Sequence, residues 1–151
     1  MRSEAEKVLN SLLVDLFKDI LKIEQGALRD GKFLDLSLTE MHIIEAIGIE
    51  GNRTMSEVAA SLNITVGTLT TAINKLIAKG YVERKRIEED RRVVLIKNTD
   101  KGQLAYKTHE TFHNQMVKDV LDGLNKEDEV ILIGALKNLT NFFEIRYGLS
   151  K

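Results

Sequence analysis

A chain of 151 residues has room for one domain with extensions, and its net charge of −1 is not that of a uniformly basic nucleic-acid carrier. The absence of proline and an aromatic content of 5% favour long uninterrupted helices over a sandwich or barrel. Without cysteine there is no disulfide, no thiolate nucleophile and no cysteine redox sensor.

In chain order, residues 4–25 carry apolar side chains at Val8, Leu9, Leu12, Leu13, Leu16, Phe17, Ile20, Leu21 and Ile23. This is helix spacing with a face broader than a lone surface helix buries, and Gly26 and Gly31 are expected to break it. Ser37-Leu38-Thr39-Glu40 reads as a capping box opening a second helix through Met41, Ile43, Ile44, Ala46 and Ile47, closed by Gly48, Gly51 and Asn52. Thr54-Met55-Ser56-Glu57 reads as a second capping box and opens a short third helix with Val58, Ala59 and Leu62 inward. Asn63 sits where the chain turns sharply and tolerates a positive φ. Ile64 and Thr65 start a fourth helix striped by Leu69, Ile73 and Leu76. The small Ala59 lies where these two helices approach each other, and the joint spacing is that of a helix-turn-helix.

Gly80 closes the fourth helix. Residues 81–87 and 92–97 are β-prone runs around the turn Glu88-Glu89-Asp90-Arg91, the second apolar enough to pack on the domain. A long helix starts at Thr99-Asp100-Lys101-Gly102, Gly123 interrupts it, and Asn125-Lys126-Glu127-Asp128 starts a last one. The order α-α-α-α-β-β-α-α defines a mainly α chain with a small β-wing. The expectation is a single domain over 1–151: a winged helix-turn-helix lobe at 36–98, and a helical dimerisation region at 1–30 and 99–151. Both ends are too apolar for a solvated monomer, and an isologous homodimer buries the same stripe twice.

Charge is unevenly distributed. From Lys75 to Lys101 nine basic residues face five acidic ones, so this stretch nets +4 and the remainder −5. Phosphate contact responds to the field within about 8–10 Å, so the local value decides, and it suits duplex DNA. Enzyme chemistry lacks a motif: there is no glycine-rich phosphate loop, no His-Glu-x-x-His and no nucleophile-elbow serine. Apolar runs are far short of a membrane span and Met1-Arg2-Ser3-Glu4 opens no signal peptide, so a cytoplasmic protein with no membrane partner is expected.

The string Asp90-Arg91-Arg92-Val93-Val94-Leu95-Ile96-Lys97-Asn98-Thr99, followed by Lys101-Gly102, resembles the wing signature of the MarR family of bacterial transcriptional regulators. That signature is Asp-x-Arg, an apolar strand, then Leu-Thr-x-x-Gly; Asn98 stands where the family pattern has leucine. The resemblance implies that Asp90 pairs with an arginine to shape the wing and that Arg92 lies at the minor groove, reading shape and potential. It implies that the fourth helix enters the major groove, exposing Thr65, Gly67, Thr68, Thr70, Thr71 and Asn74, with Lys75, Arg84, Arg86 and Arg91 beside the phosphates. Threonines touch phosphates or thymine methyls and asparagine can bridge adenine. The implied protein is a homodimeric repressor on a pseudo-palindromic operator with half-sites about 10 base pairs apart.

Within the family, LSLTEMHIIEAIG, TVGTLTTAINKLIAKGYVERKRIEEDRRVV and HETFHNQMVKDVLDGL resemble the FabT-like repressors of fatty-acid biosynthesis genes. That subgroup implies acyl-acyl carrier protein as the signal and no required cofactor. His109 and His113 stand at i and i+4 on one helix face, the spacing of a shared metal. Glu24, His42, His109 and His113 fall at positions matching the zinc site of zinc-responsive family members, whereas a second zinc site would need ligands where this chain has Met41 and Thr108. Zinc is therefore one effector to test at this cleft, and histidines hydrogen-bonding across it are the other reading.

Overall fold

The computed structural model describes residues 1–149. The chain opens with α1 (Glu4–Ser11), passes through a π-helical turn (Leu12–Leu16) and continues as α2 (Phe17–Asp30). Ser3 and Glu6 form a reciprocal capping box at its start. Gly26 does not break this helix, contrary to expectation. A glycine costs a helix only about 1 kcal/mol, and Glu24 and Leu28 on either side are buried. The helix ends at Gly31 instead.

Next come α3 (Leu38–Ile47), β1 (Arg53–Thr54), α4 (Met55–Ser61), α5 (Val66–Ala78), β2 (Val82–Arg86), β3 (Val94–Asn98), α6 (Asp100–Asp122) and α7 (Lys126–Tyr147). Ser37 and Glu40 make the expected capping box of α3, and Asn125 caps α7 by accepting from Asp128 N at 2.8 Å. The sheet is antiparallel in the order β1-β3-β2, one strand more than expected. β1 pairs Arg53 with Ile96 and Thr54 with Leu95. The central strand begins at Val94, because Arg92 and Val93 complete the hairpin turn, and it includes Asn98.

The core collects Phe33, Met41, Ile44 and Ile47 with Val58, Leu69, Ile73, Leu76 and Ile96, so one cluster anchors α3, α4, α5 and the sheet. Asn98 is 1% exposed and donates through Nδ2 to the carbonyls of Ile44 at 3.0 Å and Gly48 at 2.9 Å. It thus ties the strand end to the last turn of α3, giving a second donor to the Ile44 carbonyl, which also accepts from Gly48 N at 3.1 Å. The residue that departs from the family leucine is a buried connector.

Where β2 and α6 meet, Thr99 N donates to Tyr81 O at 3.0 Å, and Thr99 Oγ1 donates to Gly80 O at 2.6 Å. Lys101 Nζ donates to Lys79 O at 2.9 Å and lies 4.3 Å from the centre of the Tyr81 ring. The Tyr81 hydroxyl donates to Asp35 at 2.6 Å, which holds that carboxyl below its usual range. Burial, together with the same carboxylate, pushes the phenol well up. Burial also pushes Glu40 up, but Lys79 at 2.8 Å and the Ser37 N–H outweigh it, and Glu40 sits below the usual carboxylate range. These contacts fasten the last turn of α5 to the elements around it.

By internal contacts the chain divides into two compact units, Met1–His109 and the segment from Glu110 onward. In the first, Val8, Leu12 and Phe17 are about half exposed on the opening helix. In the second, α7 has no buried residue, and Val130, Ile131, Leu136, Phe142 and Ile145 all stand exposed. No helix among the described residues is long and apolar enough to cross a membrane.

Candidate nucleic-acid interface

Helices α4 and α5 form the expected helix-turn-helix, placed by local chemistry. Thr54 caps α4 by accepting from Glu57 N at 3.1 Å. The expected reciprocal half of this capping box is replaced, with the Glu57 carboxylate facing Arg53 at 3.8 Å. Asn63 takes φ 54°, the one positive value outside glycine among the described residues, and Ile64 N closes the turn on Ala59 O at 3.0 Å. Leu69, Ile73 and Leu76 are fully buried, which fixes the opposite face of α5 outward.

On that outward face Thr65 caps the helix, accepting from Thr68 N at 3.1 Å. Thr70 Oγ1 donates to Val66 O at 2.8 Å and Thr71 Oγ1 to Gly67 O at 3.3 Å. Gly67 is exposed, and a side chain there would meet nothing nearer than Thr65 Oγ1 at 3.9 Å. Its lack of a side chain serves no packing inside the chain. Asn74 and Lys75 are exposed further along.

The wing is braced by its own arginines. Asp90 accepts from Arg92 N and Arg92 Nε at 3.1 Å each and from Nη2 at 3.3 Å, which lowers its carboxyl pKa. The arginine that shapes the wing with Asp90 is therefore Arg92 itself, and its side chain stays 92% exposed. Arg86 Nη1 donates to Arg91 O at 2.8 Å, while Arg91 faces Glu88 at 3.9 Å. Arg84 Nη1 donates to Asn74 Oδ1 at 3.0 Å, linking β2 to α5.

Between α5 and the wing runs an open groove of ≈ 380 Å³. Thr54, Met55, Ser56, Val66 and Thr70 line it together with Arg84, Arg86, Arg92, Val93 and Val94. Three guanidiniums on one groove are what a phosphate backbone requires. A second groove of ≈ 400 Å³ holds Thr68, Thr71 and Lys75 with Ser37, Thr39 and Glu40. Of the residues expected at the interface, Thr70, Arg84, Arg86 and Arg92 meet in the first groove, and Thr68, Thr71 and Lys75 in the second. Ser56 and Val66 were missed. The available signal was their position at the very start of α4 and α5.

A separate cluster lies between α2, α3 and the first part of α6. His42 Nε2 is 3.9 Å from Glu24 Oε2, His109 Nε2 is 3.2 Å from Glu45 Oε1, and the two imidazole rings are 6.4 Å apart. Donor atoms of His42, Glu45 and His109 all fall within 4.8 Å of one another. Glu45 was not anticipated from sequence; it lies one turn beyond His42 on α3. His113 follows His109 by one turn of α6 and belongs to the second unit, its ring 5.6 Å from that of Phe112.

The MarR family pattern matches residues 34–93. Streptococcus pneumoniae FabT, solved in complex with DNA, is 41% identical, with a TM-score of 0.86 over 91% of this chain and 96% of that one. The HTH-type transcriptional regulator BilQ of Clostridium symbiosum is 30% identical over 77% of this chain and 81% of its own. A Staphylococcus aureus MepR mutant shares the fold at 15% identity and a TM-score of 0.73, over 89% of this chain and 97% of that one. The curated relative is a transcriptional regulator rather than an enzyme, and the solved structures share this fold. The chain belongs to the MarR family of winged helix-turn-helix, DNA-binding transcriptional regulators.

Proposed function

We propose that this regulator acts as a homodimeric repressor on a pseudo-palindromic operator, with α5 in the major groove and Arg92 at the minor groove. The carrying observation is the groove between α5 and the wing, where Arg84, Arg86 and Arg92 converge beside the exposed head of the helix. Likeness to FabT, a protein solved on DNA, supports the same use. The exposed apolar faces of the opening helix and α7 support the dimer, since water-facing stripes of this size mark interfaces. Two copies then present two helices to successive major grooves.

The FabT likeness also supports fatty-acid biosynthesis genes as the target and acyl-acyl carrier protein as the signal. A ligand of this kind acts by favouring the dimer geometry that fits DNA. The test is a gel shift on the protein's own upstream region, across a salt series, with and without acyl-acyl carrier protein. Arg92→Ala should weaken binding about tenfold at the operator, far less on arbitrary DNA, and lower the salt slope by at most about one. Normal binding by this variant at several salt concentrations would show that the wing does not hold DNA.

Zinc is the second reading, favoured by the cluster of His42, Glu45 and His109. Imidazole and carboxylate donors suit the ion chemically, but His109 is already paired with Glu45, so a metal must recruit that carboxylate or displace it. When bound, zinc would tie α3 to α6. Tag-free protein should then carry about one zinc per chain, as a four-ligand site holds, and His109→Ala should lose it. Metal-free wild-type protein with full DNA affinity rules this reading out.

A further inference from the structure

The groups α5 offers to DNA differ from what its sequence suggests. Four threonines and an asparagine read as a row of hydrogen-bonding side chains, yet most of their capacity is spent within the protein. Thr65 Oγ1 donates to Thr68 Oγ1 at 2.9 Å while capping the helix. Thr70 and Thr71 donate back to carbonyls four residues earlier, a bond that mid-helix threonines make readily. Arg84 holds the Asn74 amide oxygen at 3.0 Å. Bidentate pairing of asparagine with adenine needs that oxygen to accept from N6.

Beside the Thr68 hydroxyl, which accepts from Thr65 and is not seen to donate, the head of the helix presents methyl surface. Val66, the first residue of α5, is 45% exposed although it is apolar. Thr70 lies one turn on along the same face, half-buried, and lines the same groove. N-terminal residues of a recognition helix are those that reach base edges, and the C5 methyl of thymine is the apolar feature they meet there.

We propose that Val66 and the methyl group of Thr70 form a patch that reads thymine methyl groups, while Arg84 withholds Asn74 from adenine. The inference rests on the DNA-binding reading above and specifies which feature of the base is recognised. Arg84 and Arg86 in the same groove hold the backbone while the methyls are compared. Discrimination comes from burying or not burying a methyl, worth about fourfold in affinity for each one.

The test uses the full chain and duplexes it enriches from a random pool, resynthesised with deoxyuridine for thymidine at one position at a time. Uracil keeps every hydrogen-bonding group of thymine and lacks the methyl alone. Fluorescence anisotropy should show binding weakened about fourfold at one or two positions per half-site. Val66→Ala should bring the ratio at one of them close to one, and Thr70→Ser should do so at the position beside it. Equal affinity for thymine and uracil at every position overturns the proposal, as does a ratio unmoved by both substitutions. Failure to enrich any sequence overturns the DNA-binding reading and this proposal with it, so the two failures are distinct.

Discussion

Gly102→Ala is expected to destabilise the protein by about 3 kcal/mol or more, lowering the thermal midpoint by roughly 6–12 °C for a domain of this size. A Cβ at this position would lie 2.1 Å from the Tyr81 carbonyl oxygen and 3.1 Å from both Cβ and Oδ1 of Asn98. The obstruction is backbone, so no side-chain rotation relieves it. The same oxygen accepts from Thr99 N at 3.0 Å, and moving it away breaks the bond that sets the first turn of α6 against the start of β2. Operator binding should fall together with stability, because β2 carries Arg84 and Arg86. Gly26→Ala is the control: its added methyl meets nothing within 4 Å in mid-helix, so it should stabilise by about 0.5–1 kcal/mol. Thermal melts of the two variants check the pair; a harmless Gly102→Ala would show that α6 and β2 are not held this closely.

Asn98→Asp is expected to cost about 3–5 kcal/mol at neutral pH. The side chain is 1% exposed, and its two donor bonds point at the carbonyl oxygens of Ile44 and Gly48. A carboxylate puts negative charge against both carbonyls, loses both donors and is buried away from water. The sign with pH follows. Burial and the facing carbonyls raise the folded-state pKa of the introduced carboxyl above its unfolded value of about 3.9. The ionisation penalty is then fully relieved only below that value and returns as pH rises through the folded pKa, while one of the two donor bonds stays lost. The gap between the variant and wild type should therefore narrow as pH falls from 7 towards 4. Denaturant unfolding at several pH values measures it, and a gap that widens on acidification would mean that the carboxylate finds donors there.

How much of this was legible in the sequence follows from how local each cause is. The helix starts at Ser37, Thr54 and Asn125 and the positive φ of Asn63 were readable, because each depends on a few neighbouring residues; the start of α5 was placed at Ile64, two residues before Val66. The β1 strand was not: two residues become a strand only through pairing with Ile96 and Leu95, some forty positions away. Asn98 looked like a departure from the family pattern because its partners lie 50 and 54 positions upstream. Gly26 was misread since a local breaker was weighed without the buried neighbours that hold α2 together. At the interface the residue types were legible but their hydrogen bonding was not. Nothing in the order of letters says that Thr70 and Thr71 spend their protons on their own helix, or that Arg84 occupies Asn74.

The pairing of Arg92 with Asp90 has a consequence for how the regulator travels on DNA. An arginine surrounded only by water and salt ions binds any stretch of phosphate by releasing those ions, which favours all sequences alike. Arg92 carries its own counter-ion, fixed at two residues' distance and touching it through Nε and Nη2. Such a wing tip has almost no net charge to offer arbitrary DNA. It gains only where a minor groove is narrow and negative enough to compete with the Asp90 carboxylate. With Arg92 at the minor groove as proposed, the aspartate would keep the wing from clinging during the search and reserve its grip for sites of the right shape.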